Sequence, residues 1–341
     1  MFRSRAELLL NAFSGRRIVV VGDVMLDEYI WGQVNRISPE APVMVVDAQR
    51  YSNVPGGAAN VVNNLCALGA TGSIVGTAGS DSHGDELIAA LAAEGADTSG
   101  IIRLTDRPTT RKTRIIAHSQ SVNAQVVRVD HENRSALDRE SEDALIAQLE
   151  RLVPAADAVL MSDYQKGVLG TRVVQACIEM MRPGQPITGN LKPAALAALG
   201  HPKGVTVLTM NVHEASLAVG KVSLTDGEII EAGVQILGNT ASTHVLITQG
   251  SHGLTLFSAE NPGHPVHVPP REVEVYDSAG AGDTVISTLT LALGSGASPE
   301  EAVRLANFAA AETVKKVGVA TVTREEILAA IVSDQQLGGG S

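Results

Sequence analysis

The chain has 341 residues, 44% of them hydrophobic and 18% charged, enough apolar material for one large α/β domain or two small ones. A formal net charge of −11, from 26 Lys and Arg against 37 Asp and Glu, argues against broad attraction to nucleic acid or anionic lipid, and a small molecule becomes the expected ligand. The only two cysteines, Cys66 and Cys177, sit in apolar helical patterns and read as buried free thiols, not as a disulfide framework or a metal site.

The first predicted strand is Arg17 to Val21, and β-branched runs of the same kind recur at Ala158 to Met161, Val205 to Leu208 and Val245 to Thr248. Between them lie helical patterns such as Ala59, Val62, Leu65 and Leu68, or Leu145, Ile146, Leu149 and Leu152. The alternation predicts βαβ units, a central and largely parallel sheet, and helices on both of its faces. Residues 28–48 and 107–130 break the rhythm with strand-like segments that no helix separates, and they read as a small antiparallel lid. The expected organisation is one main domain over residues 1–330, with residues 331–341 as a tail ending in a Gly-Gly-Gly-Ser linker. No apolar run reaches the roughly 18 residues of a membrane span, and the start lacks a signal-peptide pattern, so the expected location is the cytoplasm with no membrane partner.

The most informative segment runs from Asp277 through Ser278-Ala279-Gly280-Ala281-Gly282-Asp283-Thr284 into an apolar helical run. A glycine-rich turn that opens a helix lets the amides of Gly280, Ala281 and Gly282 converge where the helix dipole already favours negative charge. An aspartate in that first turn can take a proton from a hydroxyl while the amides stabilise a transferring phosphoryl group. Read alone, the segment also fits a loop with a capped helix.

The octad resembles the C-terminal signature Asp-x-x-Gly-Ala-Gly-Asp of the ribokinase or PfkB carbohydrate kinases. The N-terminal signature of that family is matched by Gly56-Gly57-Ala58-Ala59-Asn60. The resemblance implies a ribokinase-like three-layer α/β/α fold, ATP and Mg²⁺ as cofactors, Asp283 as catalytic base, and sugar contacts from Asp23, Asp27, Gly56, Gly57 and Asn60. It assigns Asn211 and Glu214 of Asn-x-x-Glu to ATP and, through water, to Mg²⁺, although the tetrad alone also fits a plain helix cap. Thr248, Gly250 and Gly253 match the family's phosphate and ribose turn, and Asn307 and Ala311 lie on the helix that borders adenine in relatives. Asp277 with the loop 316–318 would hold a monovalent cation such as K⁺.

Narrower segments, among them Trp31 to Val43, Arg107 to Arg114, Arg128 to Glu132 and Ser162-Asp163-Tyr164-Gln165-Lys166-Gly167, resemble the bacterial D-glycero-β-D-manno-heptose 7-phosphate kinases. That group phosphorylates O1 of the heptose 7-phosphate for lipopolysaccharide synthesis. A phosphorylated substrate needs cations at its distal end, for which Lys112 and Arg128 are the first candidates, with Lys166 and Asp163 beside them. Asn190, a further substrate contact by this resemblance, stands where the group has Asp, and Met44 where it has Pro, so sugar identity is less firmly implied than kinase chemistry. Many of these relatives carry a fused nucleotidyltransferase, and the expectation here is a kinase-only form.

A nicotinamide oxidoreductase fits poorly, because Gly22-Asp23-Val24-Met25-Leu26-Asp27 lacks the glycine pattern of a pyrophosphate turn. A non-catalytic sensor has no use for a base beside an anion hole. The remaining rival is a kinase of the same superfamily acting on another sugar, sugar phosphate or nucleoside. A homodimer through the lid edge is expected as well.

Overall fold

A computed structural model describes residues 2–119, 122–198 and 204–338. The strands are β1 (Arg17–Gly22), β2 (Val24–Ile37), β3 (Met44–Gly57), β4 (Thr71–Gly79), β5 (Asp97–Leu104), β6 (Arg111–Ser119), β7 (Val122–His131), β8 (Ala158–Ser162), β9 (Ile187–Asn190), β10 (Val207–Asn211), β11 (His244–Thr248), β12 (Leu254–Ser258) and β13 (Val266–Val268). The helices are α1 (Phe2–Ala12), α2 (Ala58–Ala67), α3 (Ser82–Ala93), α4 (Arg139–Leu152), α5 (Thr171–Glu179), α6 (Pro193–Ala198), α7 (Val212–Ala218), α8 (Asp226–Thr240), α9 (Ala281–Gly294), α10 (Pro299–Thr313) and α11 (Arg324–Gly338).

Nine strands form the main sheet in the order β13-β12-β11-β10-β9-β8-β1-β4-β5. All its pairings are parallel except β11 with β12 and β12 with β13. Strands buried on both faces need apolar residues throughout, and β1 shows why: Ile18 and Val20 join one core, while Val19 and Val21 join the other. The first core is closed by α1, α2, α9, α10 and α11, and the second by α4, α5, α7 and α8. This is the three-layer α/β/α arrangement that the alternation predicts.

A second sheet of four strands has the order β3-β2-β6-β7. Its outer pairings are antiparallel, but β2 and β6 run parallel, unlike the wholly antiparallel lid expected from the sequence. The reason lies in connectivity. β2 follows β1 after the single residue Asp23, β6 follows β5 after a short loop, and both therefore leave the same edge of the parallel main sheet in the same direction. The second difference is at the end of the chain, where α11 runs through residue 338 and Ile331 is buried in the core, because its apolar face packs where a tail from 331 was expected. No helix among the described residues is long and apolar enough to cross a membrane.

Candidate active site

Asp283 sits in the first turn of α9, only 8% exposed, on a helix whose next ten residues are all buried. Gly280 supplies the αL conformation (φ +79°) that turns the chain into this helix, and a Cβ there would come 3.1 Å from Asn60 Nδ2. Two donors hold the Asp283 carboxylate: Asn60 Nδ2 donates to Oδ2 at 2.7 Å, and the Tyr164 hydroxyl donates to Oδ1 at 2.6 Å. Burial pushes the Asp283 carboxyl above its ordinary range, and these two hydrogen bonds pull it back in part.

The Asn60 amide is itself oriented. Asn64 Nδ2 donates to Asn60 Oδ1 and to its carbonyl, the Thr284 hydroxyl donates to Asn64 Oδ1, and the Thr313 hydroxyl donates to Thr284. A polar chain thus runs from α10 through α9 and α2 back to the base. Every member is buried, so an amide flip would strand polar atoms away from water.

The cleft in front of Asp283 is lined by Tyr164, Asn190, Lys192, Thr209, Asn211, Glu214, Thr248, Gly280 and Gly282. Lys192 pairs with Glu214 and lies 5.6 Å over the Tyr164 ring. Asn211 and Glu214 form a capping box at the start of α7, with Asn211 Oδ1 accepting from the Glu214 amide and Glu214 Oε2 accepting from the Asn211 amide. Both readings of this tetrad, cap and cleft residue, therefore describe the same geometry. Asn190 Oδ1 is buried in the same cleft without a hydrogen-bond partner, which leaves oxygen donors from Asn190, Asn211 and Glu214 around one space. Such a set fits a hydrated hard cation.

On the other side, Gly56 and Gly57 end β3 against Asp27 of β2. A Cβ on Gly56 would fall 2.3 Å from Asp27 Oδ2, and Gly57 has φ +59°, so glycine is required at both. Asp27 accepts from Arg114 Nη1 at 2.5 Å. Farther out, Lys112 Nζ and Arg128 both bind Asp130, and Lys166 Nζ lies 2.7 Å from Glu132, which also faces Lys112. The expected distal cations are thus brought together in one network, but each is already paired.

Asp23 and Asp163, expected beside the substrate, are turned inward. Asp23 is 1% exposed and accepts the amides of Tyr164, Lys166 and Val168, while Asp163 accepts those of Gln165 and Lys192. Their oxygens are spent on backbone amides of the loop 163–168 and of Lys192, so the geometry makes them supports of that loop and its tie to the segment after β9. Asp277 accepts from the amides of Ala279 and Gly318, tying the loop before α9 to the loop 316–318. Carboxylate oxygens that keep further lone pairs beside two loops of carbonyls fit a monovalent cation. Gly250 and Gly253 flank the turn after β11, with Thr248 in the cleft. Asn307 donates to the Pro269 carbonyl and Ala311 is buried in α10, and neither lines the cleft in front of Asp283. The residues not singled out from sequence are Tyr164 and Lys192, while Arg114, one of the lid cations weighed for the distal phosphate, is paired instead with Asp27.

The sequence pattern of the pfkB family carbohydrate kinases matches residues 16–326. The chain belongs to that family. It is an ATP-dependent carbohydrate kinase, a phosphotransferase acting on a sugar hydroxyl. Within the family it is 40% identical, over 94% of its length, to the "bifunctional protein HldE" of Desulfatibacillum aliphaticivorans, and 41% identical to the protein of that name from Bradyrhizobium sp. (strain ORS 278). The chain spans 64% of the length of each of these two relatives. The fold is shared with Escherichia coli phosphofructokinase-2 in complex with potassium, at TM-score 0.77 and 19% identity over 94% of this chain and 99% of that one. It is shared equally with Arabidopsis thaliana ribokinase complexed with ribose and ATP, at TM-score 0.73 and 21% identity over 93% of this chain and 99% of that one.

Proposed function

We propose that the chain transfers the γ-phosphoryl group of ATP to O1 of D-glycero-β-D-manno-heptose 7-phosphate, giving the 1,7-bisphosphate. The observation that carries the chemistry is a buried Asp283 held by two donors at a helix N-terminus, beside the Gly280 to Gly282 amides. Asp283 takes the proton of the anomeric hydroxyl as O1 attacks the γ-phosphorus. The bond from γ-phosphorus to the β,γ-bridging oxygen breaks, and ADP leaves. The α9 amides and Lys192 face the charge that develops on the equatorial and bridging oxygens. Asn211, Glu214 and Asn190 are the residues that would hold Mg²⁺, which would supply charge neutralisation at the phosphates. K⁺ at Asp277 would steady the anion-binding loop.

The heptose reading is supported by the narrow sequence resemblance, by about 40% identity to the HldE proteins, and by the cations of the second sheet. In this reading the second sheet is a lid, and the distal phosphate takes the place of Asp130 and Glu132 at Lys112, Arg128 and Lys166. The test is ADP production with Mg²⁺ and K⁺ across heptose 7-phosphate, sedoheptulose 7-phosphate, fructose 6-phosphate, ribose and adenosine. Selective turnover of heptose 7-phosphate is expected, and selective turnover of another sugar would reassign the lid cations.

The same sheet bears exposed Ile37, Met44, Tyr51, Val127 and Val129, with exposed Val43 in the connection before β3, an apolar surface that supports pairing of two lids in a homodimer. Light scattering at micromolar concentration is expected to give twice the chain mass, and a monomer there would overturn this pairing.

A further inference from the structure

The geometry points to Tyr164 as a positioning residue for the base: its hydroxyl fixes the Asp283 carboxylate and keeps it ionised, while a strained loop holds the ring in place. This rests on the reading of Asp283 as the base.

Several observations converge on it. Tyr164 is fully engaged, with its hydroxyl 2.6 Å from Asp283 Oδ1, its amide donating to Asp23 Oδ2 at 2.8 Å, and its ring under the Lys192 ammonium. The loop around it is over-determined. Asp23 and Asp163, both buried, spend their oxygens on the amides of residues 164, 165, 166, 168 and 192, and Gln165 adopts φ +57°, a left-handed conformation that a non-glycine side chain rarely takes. Such a conformation persists only where the surroundings enforce it, and here the enforced outcome is the aim of the Tyr164 hydroxyl.

The two donors come from opposite sides, Asn60 on one carboxylate oxygen and Tyr164 on the other. Each oxygen keeps a second lone pair, so a sugar hydroxyl can still be bound and deprotonated. Burial, followed by the neighbouring Asp283 charge, pushes the phenol well above its ordinary range, so Tyr164 stays a neutral donor throughout the working pH range. The other charged groups facing Asp283 are Lys192, from the segment after β9, and Asp27 of β2. Glu214 of α7 is paired to that same Lys192. Lys192 favours the carboxylate and Asp27 opposes it, and the two hydrogen bonds act with Lys192, and more strongly than it does, in favour of the ionised form.

The sign follows from which form the phenol stabilises. A donor to the carboxylate lowers the pH at which the base gains its proton, so Tyr164→Phe should move the acid limb of kcat/KM to higher pH by about one unit. Turnover on the plateau should fall about tenfold as the carboxylate loses its orientation. Site-specific 3-fluorotyrosine at position 164, a stronger donor of nearly unchanged size, should move the limb to lower pH. The assay is ADP formation with ATP and Mg²⁺, using whichever of heptose 7-phosphate, sedoheptulose 7-phosphate or fructose 6-phosphate is turned over fastest, with Asp283→Asn alongside. Limbs moving in opposite directions, with Asp283→Asn inactive, support the assignment. An unmoved limb in both variants, with Asp283→Asn inactive, overturns the role of Tyr164 and leaves the base. Wild-type turnover by Asp283→Asn removes the base and the Tyr164 role together. The fluorinated protein keeps the test decisive should Tyr164→Phe fold poorly.

Discussion

The two ends of the cleft handle charge in opposite ways. At the α9 end a single carboxylate is buried, held by neutral donors, and set beside backbone amides that a phosphoryl group can meet without rearrangement. At the second-sheet end the charges are numerous and mutually paired, Arg114 with Asp27, Lys112 and Arg128 with Asp130, and Lys166 with Glu132. The first end is preorganised for a reaction whose charge appears only in the transition state. The second must give up existing pairs to accept a ligand, so its net gain per contact is small, and discrimination arises from how many pairs are exchanged at once.

The sharpest way to break this contrast is Asp283→Asn, which should cost about 10² to 10⁴ in turnover, the range of a general base, while leaving the melting temperature close to that of the wild type. Retained turnover with chemistry rate-limiting would show that the preorganised end is elsewhere. Next in size, Lys192→Met should lower kcat/KM for ATP by about tenfold to a hundredfold, the worth of one charge-assisted contact, measured with sugar saturating. At the exchanging end, Lys112→Ala combined with Arg128→Ala should raise KM for the sugar phosphate by about tenfold with kcat little changed. An equal loss with the dephosphorylated sugar would show that these cations do not read the distal phosphate. Gly57→Ala, placed at φ +59° with its Cβ 2.6 Å from the Asp23 carbonyl oxygen, should lower stability by about 1 to 3 kcal/mol in urea unfolding.

The smallest effect concerns the anchor of the second sheet. Burial alone would raise Asp81, but bonds from the Thr109 hydroxyl and amide and from the Gly84 amide outweigh it and hold the carboxyl at about 2. A group held below its ordinary value stabilises the fold above about pH 4 and loses that contribution as pH falls towards 2. Melting temperatures of wild type and Asp81→Asn should therefore converge on acidification, and parallel curves would exclude this anchor.

Much of this was legible in the sequence. Hydrophobic alternation announces β1, β8, β10 and β11, because strands buried on both faces carry continuous apolar runs. Gly280 to Asp283 is legible because its chemistry is local, a turn and a helix start within four residues. Tyr164 was not, since it meets Asp283 across 119 positions and its own surroundings resemble an ordinary loop. Lys192 was hidden for a similar reason, its partner Glu214 lying 22 positions on, in α7. Asp23 and Asp163 were recognisable as polar residues at strand ends, but only the fold shows that backbone amides saturate them. The parallel pairing of β2 with β6 depends on which sheet edge each strand leaves, and no local pattern carries that information.

Among the described residues the chain passes between the two sheets four times, at Asp23, at Gly57, between Leu104 and Arg111, and after His131. Everything from α4 onward belongs to the main body, including Lys192, Glu214 and the whole of α9. The parts that meet the acceptor sugar in the proposed mechanism, apart from the base Asp283 and the loop 163–168, are thus written in the first 132 residues, and the parts that meet the nucleotide in the later ones. Such a division lets acceptor preference drift by strand lengthening or charge swaps early in the chain, with the phosphoryl-transfer apparatus inherited unchanged.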